Sequence, residues 1–296
     1  MDFNTKRHIW HDIHYATEAT TRGLYHPQEP DYIASLVTKL PNDLIQILNS
    51  YIPNRQFNVG GCFIHQKPIV RFTSTQYAHH RMPELGDLLI VYKETKNNED
   101  RYNALLLQAK KTDNIYNTHI RHYDQHQYVL YTKWPKFEYH RAGRLNGVSR
   151  SISPKTITSG AQYLLIDEQH NAAHWHYPVT FWCAGADNPL EASSSLATAL
   201  LQLIEFQTGR PFVAKGRNID QWSKMIWDLL DISTQSIFNR RRNGYNNHPR
   251  HTGDIITYLA TLNNVENFVE NEENGISIIC IEGKYIEERA NVFEGE

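Results

Sequence analysis

An acid, an amide and a lysine are spaced in this chain so that a β-hairpin would place them on one face. Asp87 begins one apolar run, and Gln108 and Lys110 end the next. Residues two apart in a strand point the same way, so Gln108 and Lys110 project together. If the chain turns at Asn97-Asn98, paired residue numbers sum to 195 and Asp87 lies opposite Gln108. A slip of one residue would break this placement, so the prediction depends on the register.

Such a trio is suited to hydrolysis of a phosphodiester. A carboxylate beside a second oxygen donor is a hard-ligand site for Mg²⁺ or Mn²⁺. The metal polarises a phosphate and lowers the pKa of a water, while a lysine holds the phosphate or orients the water. The spacing alone favours an ordinary surface salt bridge between Asp87 and Lys110, because acid–lysine pairs across strands are common.

Two strands must position these side chains. Residues 87–92 and 104–109 are apolar at successive positions, which is typical of strands that are covered on both faces. The polar segment 93–101 lies between them and predicts the loop of an antiparallel hairpin.

Helices and further short strands are predicted around this hairpin. Helical spacing covers residues 31–51, with a second helical turn opening at Pro41, and recurs at 189–208 and 219–238. Gly60-Gly61 indicates a turn or bulge. The other predicted strands are 62–64, 69–72, 163–166, 179–183 and 276–281.

This order of elements predicts an α/β fold with a mixed central sheet flanked by helices and helical additions at both ends. The predicted regions are an N-terminal helical region (1–56), an α/β core (57–185) and a mainly helical C-terminal region with a late strand (186–296).

The composition limits the possible functions. The chain has 296 residues, of which 40% are hydrophobic and 21% charged, so a disordered protein is excluded. Its 30 basic and 32 acidic residues exclude a globally basic nucleic-acid binder but leave room for a local basic surface. Apolar runs reach only about five residues, whereas a membrane helix needs about twenty.

The cysteines and the absence of common motifs exclude further classes of function. The three cysteines lie far apart without a C-x-x-C pair, so neither a disulfide framework nor a cysteine zinc site is expected. A reduced, cytoplasmic compartment is predicted. No phosphate-binding G-x-x-x-x-G-K-[ST] loop occurs, so an ATP-driven step would require a separate ATPase.

Residues 84–90 (ELGDLLI) and 106–110 (LLQAK) together resemble the core of the PD-(D/E)xK, or restriction-endonuclease-like, nuclease superfamily in its Gln-x-Lys variant. With the preceding strands, the resemblance extends over residues 57–135. It implies a restriction-endonuclease-like core and Mg²⁺-dependent phosphodiester cleavage. By the same resemblance Asp87 is a metal ligand, Gln108 holds the second motif position and Lys110 is the catalytic lysine.

Many members of that superfamily also supply an acid from a helix before the core strands. Glu84, three residues before Asp87, is the first candidate here and would be the second metal ligand. Asp31 and Asp43 in the predicted helix and Glu18 farther upstream remain alternatives.

A basic segment near the C-terminal end is predicted to contact nucleic acid. Cations beside an aromatic ring suit phosphate contacts and base stacking, and a solvated loop is the alternative. The candidate contact residues are Arg240, Arg241, Arg242, Tyr245 and Arg250.

The histidines offer a separate zinc hypothesis. His119, His122 and His126 fall at helical spacing, although a polar helix face is the preferred interpretation. A further set at residues 170, 174 and 176 lacks an acid or cysteine at zinc spacing. Nearby aromatic residues at 131, 134 and 137 are expected to pack in the core.

The sequence and this resemblance therefore predict a cytoplasmic, Mg²⁺- or Mn²⁺-dependent nuclease that acts on DNA. Because nucleases of this superfamily are commonly used as effectors of bacterial defence systems, the resemblance implies that role as well. Its expected partners are nucleic acid, a separate ATPase or sensor protein, and a second copy of the chain. The competing interpretation is a catalytically inactive nuclease-fold module that binds nucleic acid or a partner protein. A histidine-based metalloenzyme is a third class.

Overall fold

The chain forms eleven strands and six α-helices within the residues that the computed structural model describes, which are 1–65, 68–72, 82–167, 181–244, 254–262 and 275–286. The helices are α1 (Phe3–Ala19), α2 (Glu29–Tyr51), α3 (Gln125–Lys133), α4 (Leu196–Ile204), α5 (Gln221–Gly244) and α6 (Ile255–Ala260). Short 3-10 turns occupy His122–Asp124 and Gly143–Leu145. The strands are β1 (Arg55–Cys62), β2 (Ile69–Arg71), β3 (Leu88–Lys96), β4 (Glu99–Thr112), β5 (Phe137–His140), β6 (Ser149–Arg150), β7 (Ala161–Asp167), β8 (Phe181–Ala184), β9 (Ala192–Ser195), β10 (Arg210–Phe212) and β11 (Ser277–Tyr285).

The predicted fold class is confirmed, because a mixed central sheet lies between two helical layers. Its strand order is β1-β11-β3-β4-β7-β8-β9, and β10 pairs with the start of β4. β11 runs parallel to β3 and β7 runs parallel to β4, while the other neighbours are antiparallel. A second, three-stranded sheet is made by β2, β5 and β6.

The β3–β4 hairpin has the predicted register but a much shorter loop than predicted. Leu88 pairs with Leu107, and the pairing continues to Lys96 opposite Glu99. Only Asn97 and Asn98 form the turn, with φ angles of 52° and 61°. Two consecutive residues with positive φ are typical of a type I′ turn, and asparagine tolerates that conformation. The segment 93–101, predicted as a loop, is therefore mostly strand.

Alternate residues of this hairpin enter two different cores. Leu88 and Ile90 pack on the face covered by α1, α2 and α4. Leu89 and Val91 pack on the opposite face, against α3, α5, α6 and the three-stranded sheet. This burial on both faces explains why apolar residues follow each other without alternation. Gln108 and Lys110 project toward the second face, because Leu106 does so.

Gly60 and Gly61 lie inside β1 and do not form the predicted turn. A Cβ atom on Gly60 would stand 2.1 Å from the carbonyl oxygen of Leu259, and one on Gly61 would stand 2.0 Å from that of Val37. Glycine is needed here because helices approach the strand backbone from both sides. Pro41 does not open a separate helical turn, since α2 continues through it.

The tertiary structure adds one helix to the predicted elements and corrects the start of another. Residues 3–19, which show only weak periodicity, form helix α1. The predicted helix 189–208 begins only at Leu196, because residues 192–195 pair with β8 as β9. Ser195 is the N-cap of α4 and accepts a hydrogen bond from the Thr198 amide at 3.2 Å.

The late strand β11 lies between the edge strand β1 and β3, next to the strands of the central hairpin. The C-terminal region thus contributes directly to the sheet that carries the candidate site. The division into three regions stays a prediction. Among the described residues, no helix combines the length and apolar character that crossing a bilayer requires.

Candidate active site

The acid, the amide and the lysine meet at one end of the β3–β4 hairpin, as the register predicts. The backbone amide of Asp87 donates to the carbonyl of Leu107 at 2.9 Å, which continues the ladder by one residue. The Asp87 Oδ2 atom accepts hydrogen bonds from the Ala109 amide, at 2.7 Å, and from the Gln108 side-chain amide. These contacts hold the carboxyl group over the end of β4.

Gly86 allows the chain to reach this position. A Cβ atom there would lie 2.7 Å from the Leu106 side chain and 3.0 Å from the hydroxyl of Tyr131. The Tyr131 hydroxyl donates to the Leu85 carbonyl at 3.0 Å and fixes the segment just before Asp87. Tyr131, like Trp134 and Phe137, is buried in the core. Its role is to support the site from beneath.

Gln108 is oriented by Asp87 and leaves one polar atom without a partner. The side chain is only 2% exposed, and its Nε2 group donates to Asp87. Its Oε1 atom is buried and accepts no hydrogen bond from the described residues. A buried acceptor without a donor carries a desolvation penalty of about 1–3 kcal/mol. A cation next to this oxygen would remove that penalty.

Glu84 brings a second carboxyl group into hydrogen-bonding contact with that of Asp87. Its backbone is held by a bridge to Ile69, which begins β2. Burial, and then the charge of Glu84, raise the pKa of Asp87 well above its ordinary value, against the lowering effects of the Ala109 amide and Lys110. Two carboxylates in contact repel each other unless a proton or a cation lies between them.

Lys110 makes an ion pair that the sequence analysis did not anticipate. Its ammonium lies 3.2 Å from the Asp124 carboxylate, and both side chains are less than one-fifth exposed. Asp124 ends the 3-10 turn and lies just before α3. The interpretation of a surface salt bridge between Asp87 and Lys110 is not favoured, because each group has a different polar partner.

The structure adds Glu29 to the candidate acids. It is the first residue of α2, two positions before the predicted helix start, and its Oε1 atom accepts from the Lys111 amide at 2.9 Å. The signal for this earlier start was Pro30, since proline is favoured in the first helical turn. Asp31, an alternative in the sequence analysis, instead closes the capping box by accepting from the Gln28 amide at 2.7 Å.

A cleft of about 320 Å³ joins these groups. Three carboxyl groups, two imidazoles, an amide and an ammonium group line it. They belong to Glu29, Glu84, Asp87, His65, His126, Gln108 and Lys110. Asp31, Asp43 and Glu18 do not line it.

The oxygen atoms in the cleft fit a hard divalent cation. Within the described part of the chain, no three His, Cys, Asp or Glu side chains are grouped closely enough to hold a metal ion by themselves. Asp87 and Glu84 form a pair of carboxyl groups, and the unpaired Gln108 oxygen adds a neutral donor. Mg²⁺ commonly binds through only one or two carboxylates and keeps several waters, so this smaller set is sufficient.

The other sequence candidates do not join this cleft as predicted. His119 and His122 are exposed and precede α3, whereas His126 lies on α3, so the three do not share one helix face. Arg240, Arg241 and Arg242 belong to α5 and not to the predicted loop, and their side chains are outside the described structure. The candidates at 245 and 250, and the histidines at 170, 174 and 176, also lie outside the described residues.

Comparison of the chain with protein-family models, with curated proteins and with solved structures returned no match.

Proposed function

We propose that this protein is a metal-dependent nuclease that hydrolyses phosphodiester bonds in DNA at the cleft around Asp87. The observation that carries the proposal is the meeting of a carboxyl pair with a buried, unpaired amide oxygen beside a lysine. The pair is Asp87 and Glu84, the oxygen is Gln108 Oε1, and the lysine is Lys110. The resemblance to the PD-(D/E)xK superfamily supports the same assignment.

Asp87, Glu84 and Gln108 Oε1 would hold Mg²⁺ or Mn²⁺. When bound, this ion supplies a Lewis acid that polarises the phosphate and lowers the pKa of a water. The Ala109 amide and the Gln108 Nε2 group both donate to one oxygen of Asp87. They hold one oxygen of the carboxyl group, and the other oxygen would bind the ion.

Lys110 supplies positive charge where charge develops on the scissile phosphate. Its ammonium is anchored by Asp124, and the pair is partly buried, so the interaction with a phosphate is weakened less by water than at an exposed lysine. Preorganised donors of this kind account for about 10²–10³ in rate at well-studied sites. His126 and His65 line the same cleft.

The biological setting is part of the same proposal. We infer that the nuclease acts as the effector of a bacterial defence system, activated by a separate ATPase or sensor protein. A second candidate function, binding of nucleic acid without cleavage, is favoured by one observation. Lys110 and Asp87 already have polar partners within the chain, which an inactive site would need in order to stay folded.

Metal-dependent cleavage of plasmid DNA by the purified protein separates the two. Asp87→Ala and Lys110→Ala should each lower the rate with Mg²⁺ or Mn²⁺ at least about 10²–10³-fold. Lys39→Ala is the matched control, because Lys39 also has a polar partner, the Thr20 carbonyl at 3.0 Å, but lies on α2 outside the cleft. Cleavage at the wild-type rate by both site variants would refute the assignment. Binding of DNA without any cleavage by the wild type would favour the inactive module.

A further inference from the structure

A second, larger cleft opens directly beside the candidate active site. Its volume is about 790 Å³, and it shares Glu29, Pro30 and Lys110 with the smaller cleft. The end of β4 and the segment 113–124 form its sides, together with the start of α2. We call it the Tyr123 groove. Because Lys110 lines both spaces, a chain lying in this groove reaches the site where hydrolysis is proposed.

One tyrosine with an exposed ring lines the Tyr123 groove, and two more exposed tyrosines lie on chain segments next to it. Tyr123 lines it and is 54% exposed, and Tyr116, on the same segment, is 63% exposed. Tyr25 is 88% exposed and lies on the segment that leads into α2. That segment is tied to β4, because the Lys111 ammonium donates to the Pro27 carbonyl at 2.8 Å. The exposed Tyr123 ring offers a flat apolar face in the groove to a ligand with flat faces of its own.

The groove also contains cations, but they are nearly balanced by acids. Arg121 donates to the Tyr123 hydroxyl at 2.5 Å and lies 5.9 Å from the centre of its ring, which restricts how the ring can turn. Lys111 and Arg121 are opposed by Glu29 and Asp113, all of which line the groove. A ligand held by phosphate contacts alone would need a more basic surface. Stacking must therefore contribute much of the binding.

We propose that the Tyr123 groove binds an unpaired strand of nucleic acid and delivers it to Lys110. A base stacks on Tyr123, and the adjoining phosphates lie near Lys111 and Arg121. The bases of a duplex already stack on each other, so an exposed tyrosine face selects unpaired bases. This inference rests on the proposed nuclease function and adds its substrate class, which is a single strand or the unpaired end of a duplex.

Fluorescence anisotropy with labelled oligothymidylate, in EDTA to prevent cleavage, tests the inference. Tyr123→Ala should weaken binding about 5- to 150-fold, the range found for loss of one base–aromatic stack. Tyr123→Phe should keep most of the affinity, because the ring remains. Arg121→Gln should lower the slope of log affinity against log salt by about 0.7. Binding of a blunt duplex should be weaker and should respond less to Tyr123→Ala.

Tyr15→Ala is the matched control. Tyr15 is 49% exposed and has an arginine, Arg22, 4.9 Å from its ring centre, but it lies on α1 outside the groove. Its loss should leave oligothymidylate binding unchanged. All variants alter exposed side chains, and circular dichroism checks that each is folded.

The binding assay separates this inference from the nuclease proposal. A selective loss of oligothymidylate binding in Tyr123→Ala supports the groove whether or not the wild type cleaves DNA. No binding of oligothymidylate by the wild type, or equal affinity in Tyr123→Ala, overturns it. Binding of polyglutamate at Tyr123 in preference to oligothymidylate overturns it as well, since the groove would then take an acidic peptide.

Discussion

Asp87→Asn should stabilise the protein in the absence of divalent cations, although it removes a proposed metal ligand. In the wild type, burial and the neighbouring carboxyl group of Glu84 raise the pKa of Asp87 well above its ordinary value. At neutral pH the folded chain must therefore hold either a strained pair of charges or an extra proton. An asparagine keeps an oxygen for the Ala109 and Gln108 donors and can turn its NH₂ group toward Glu84.

The expected size of the effect follows from these contacts. The substitution replaces repulsion between two carboxyl groups by a hydrogen bond to a charged group, which is worth about 1.5–3 kcal/mol. Allowing for imperfect geometry, the free energy of unfolding should rise by about 1–3 kcal/mol at pH 7. For domains of 150–250 residues, each kcal/mol shifts Tm by about 2–4 °C. The melting temperature should thus rise by roughly 2–12 °C.

The gain should depend on pH with a defined sign. The folded-state pKa of Asp87 lies above the value of 3.8 expected when the chain is unfolded. The stabilisation that the protonated wild-type carboxyl contributes is therefore complete at pH values below 3.8 and is lost as the pH rises toward the folded-state pKa. The advantage of Asp87→Asn over the wild type should be large at pH 7 and should shrink as the pH falls toward 4.

Thermal unfolding in EDTA and in Mg²⁺ provides the assay. Added Mg²⁺ should raise the Tm of the wild type by mass action and have little effect on Asp87→Asn. Asp228→Asn is the matched control, because burial also raises the pKa of Asp228 while its carboxylate holds Arg150 at 2.7 and 2.9 Å. That variant removes the negative charge paired with the mostly buried Arg150 and should lose about 3–5 kcal/mol. If Asp87→Asn is also destabilising in EDTA, the carboxyl pair is not repulsive and the cation-site argument fails.

Two other substitutions test how the site is built. Glu84→Gln should lower metal-dependent cleavage about 10²-fold or more, because Glu84 contacts Asp87, whereas Glu29→Gln should have a smaller effect, since Glu29 is bound to the Lys111 amide. The reverse order in steady-state rates would assign the second acid to Glu29. Gly86→Ala should destabilise the protein by about 1–3 kcal/mol in denaturant unfolding, because its Cβ would lie 2.7 Å from a core leucine. An unchanged midpoint would mean that the segment before Asp87 can move.

The sequence by itself determined the register of the central hairpin and the trio that it carries. Side chains alternate with a period of two, and Asn97-Asn98 is a local signal for a two-residue turn. Together these make the opposition of Asp87 and Gln108 a short-range property. The fold class also follows from the sequence, because apolar strands separated by amphipathic helices can pack in only a few ways.

The tertiary structure alone decided how far the strands of that hairpin extend. Lys93 is polar and was predicted in a loop, yet it is only 7% exposed within β3. Its charge is compensated by Asp254 at 2.7 Å and Glu282 at 3.2 Å, which come from regions more than 150 residues away. The residues near Lys93 in the sequence give no sign of these distant partners. A buried strand segment that carries charged residues is therefore predicted as a loop.

The candidate site also has one part that local patterns predict and one part that depends on distant contacts. Asp87, Gln108 and Lys110 lie on adjacent strands, so pairing rules predict their meeting. Glu29 lines the cleft and Asp124 pairs with Lys110 only because α2 and the segment before α3 pack against the end of β4. Their positions depend on how distant parts of the chain pack together. The hydrophobic pattern of a sequence indicates which residues are buried, but not which residues cover them.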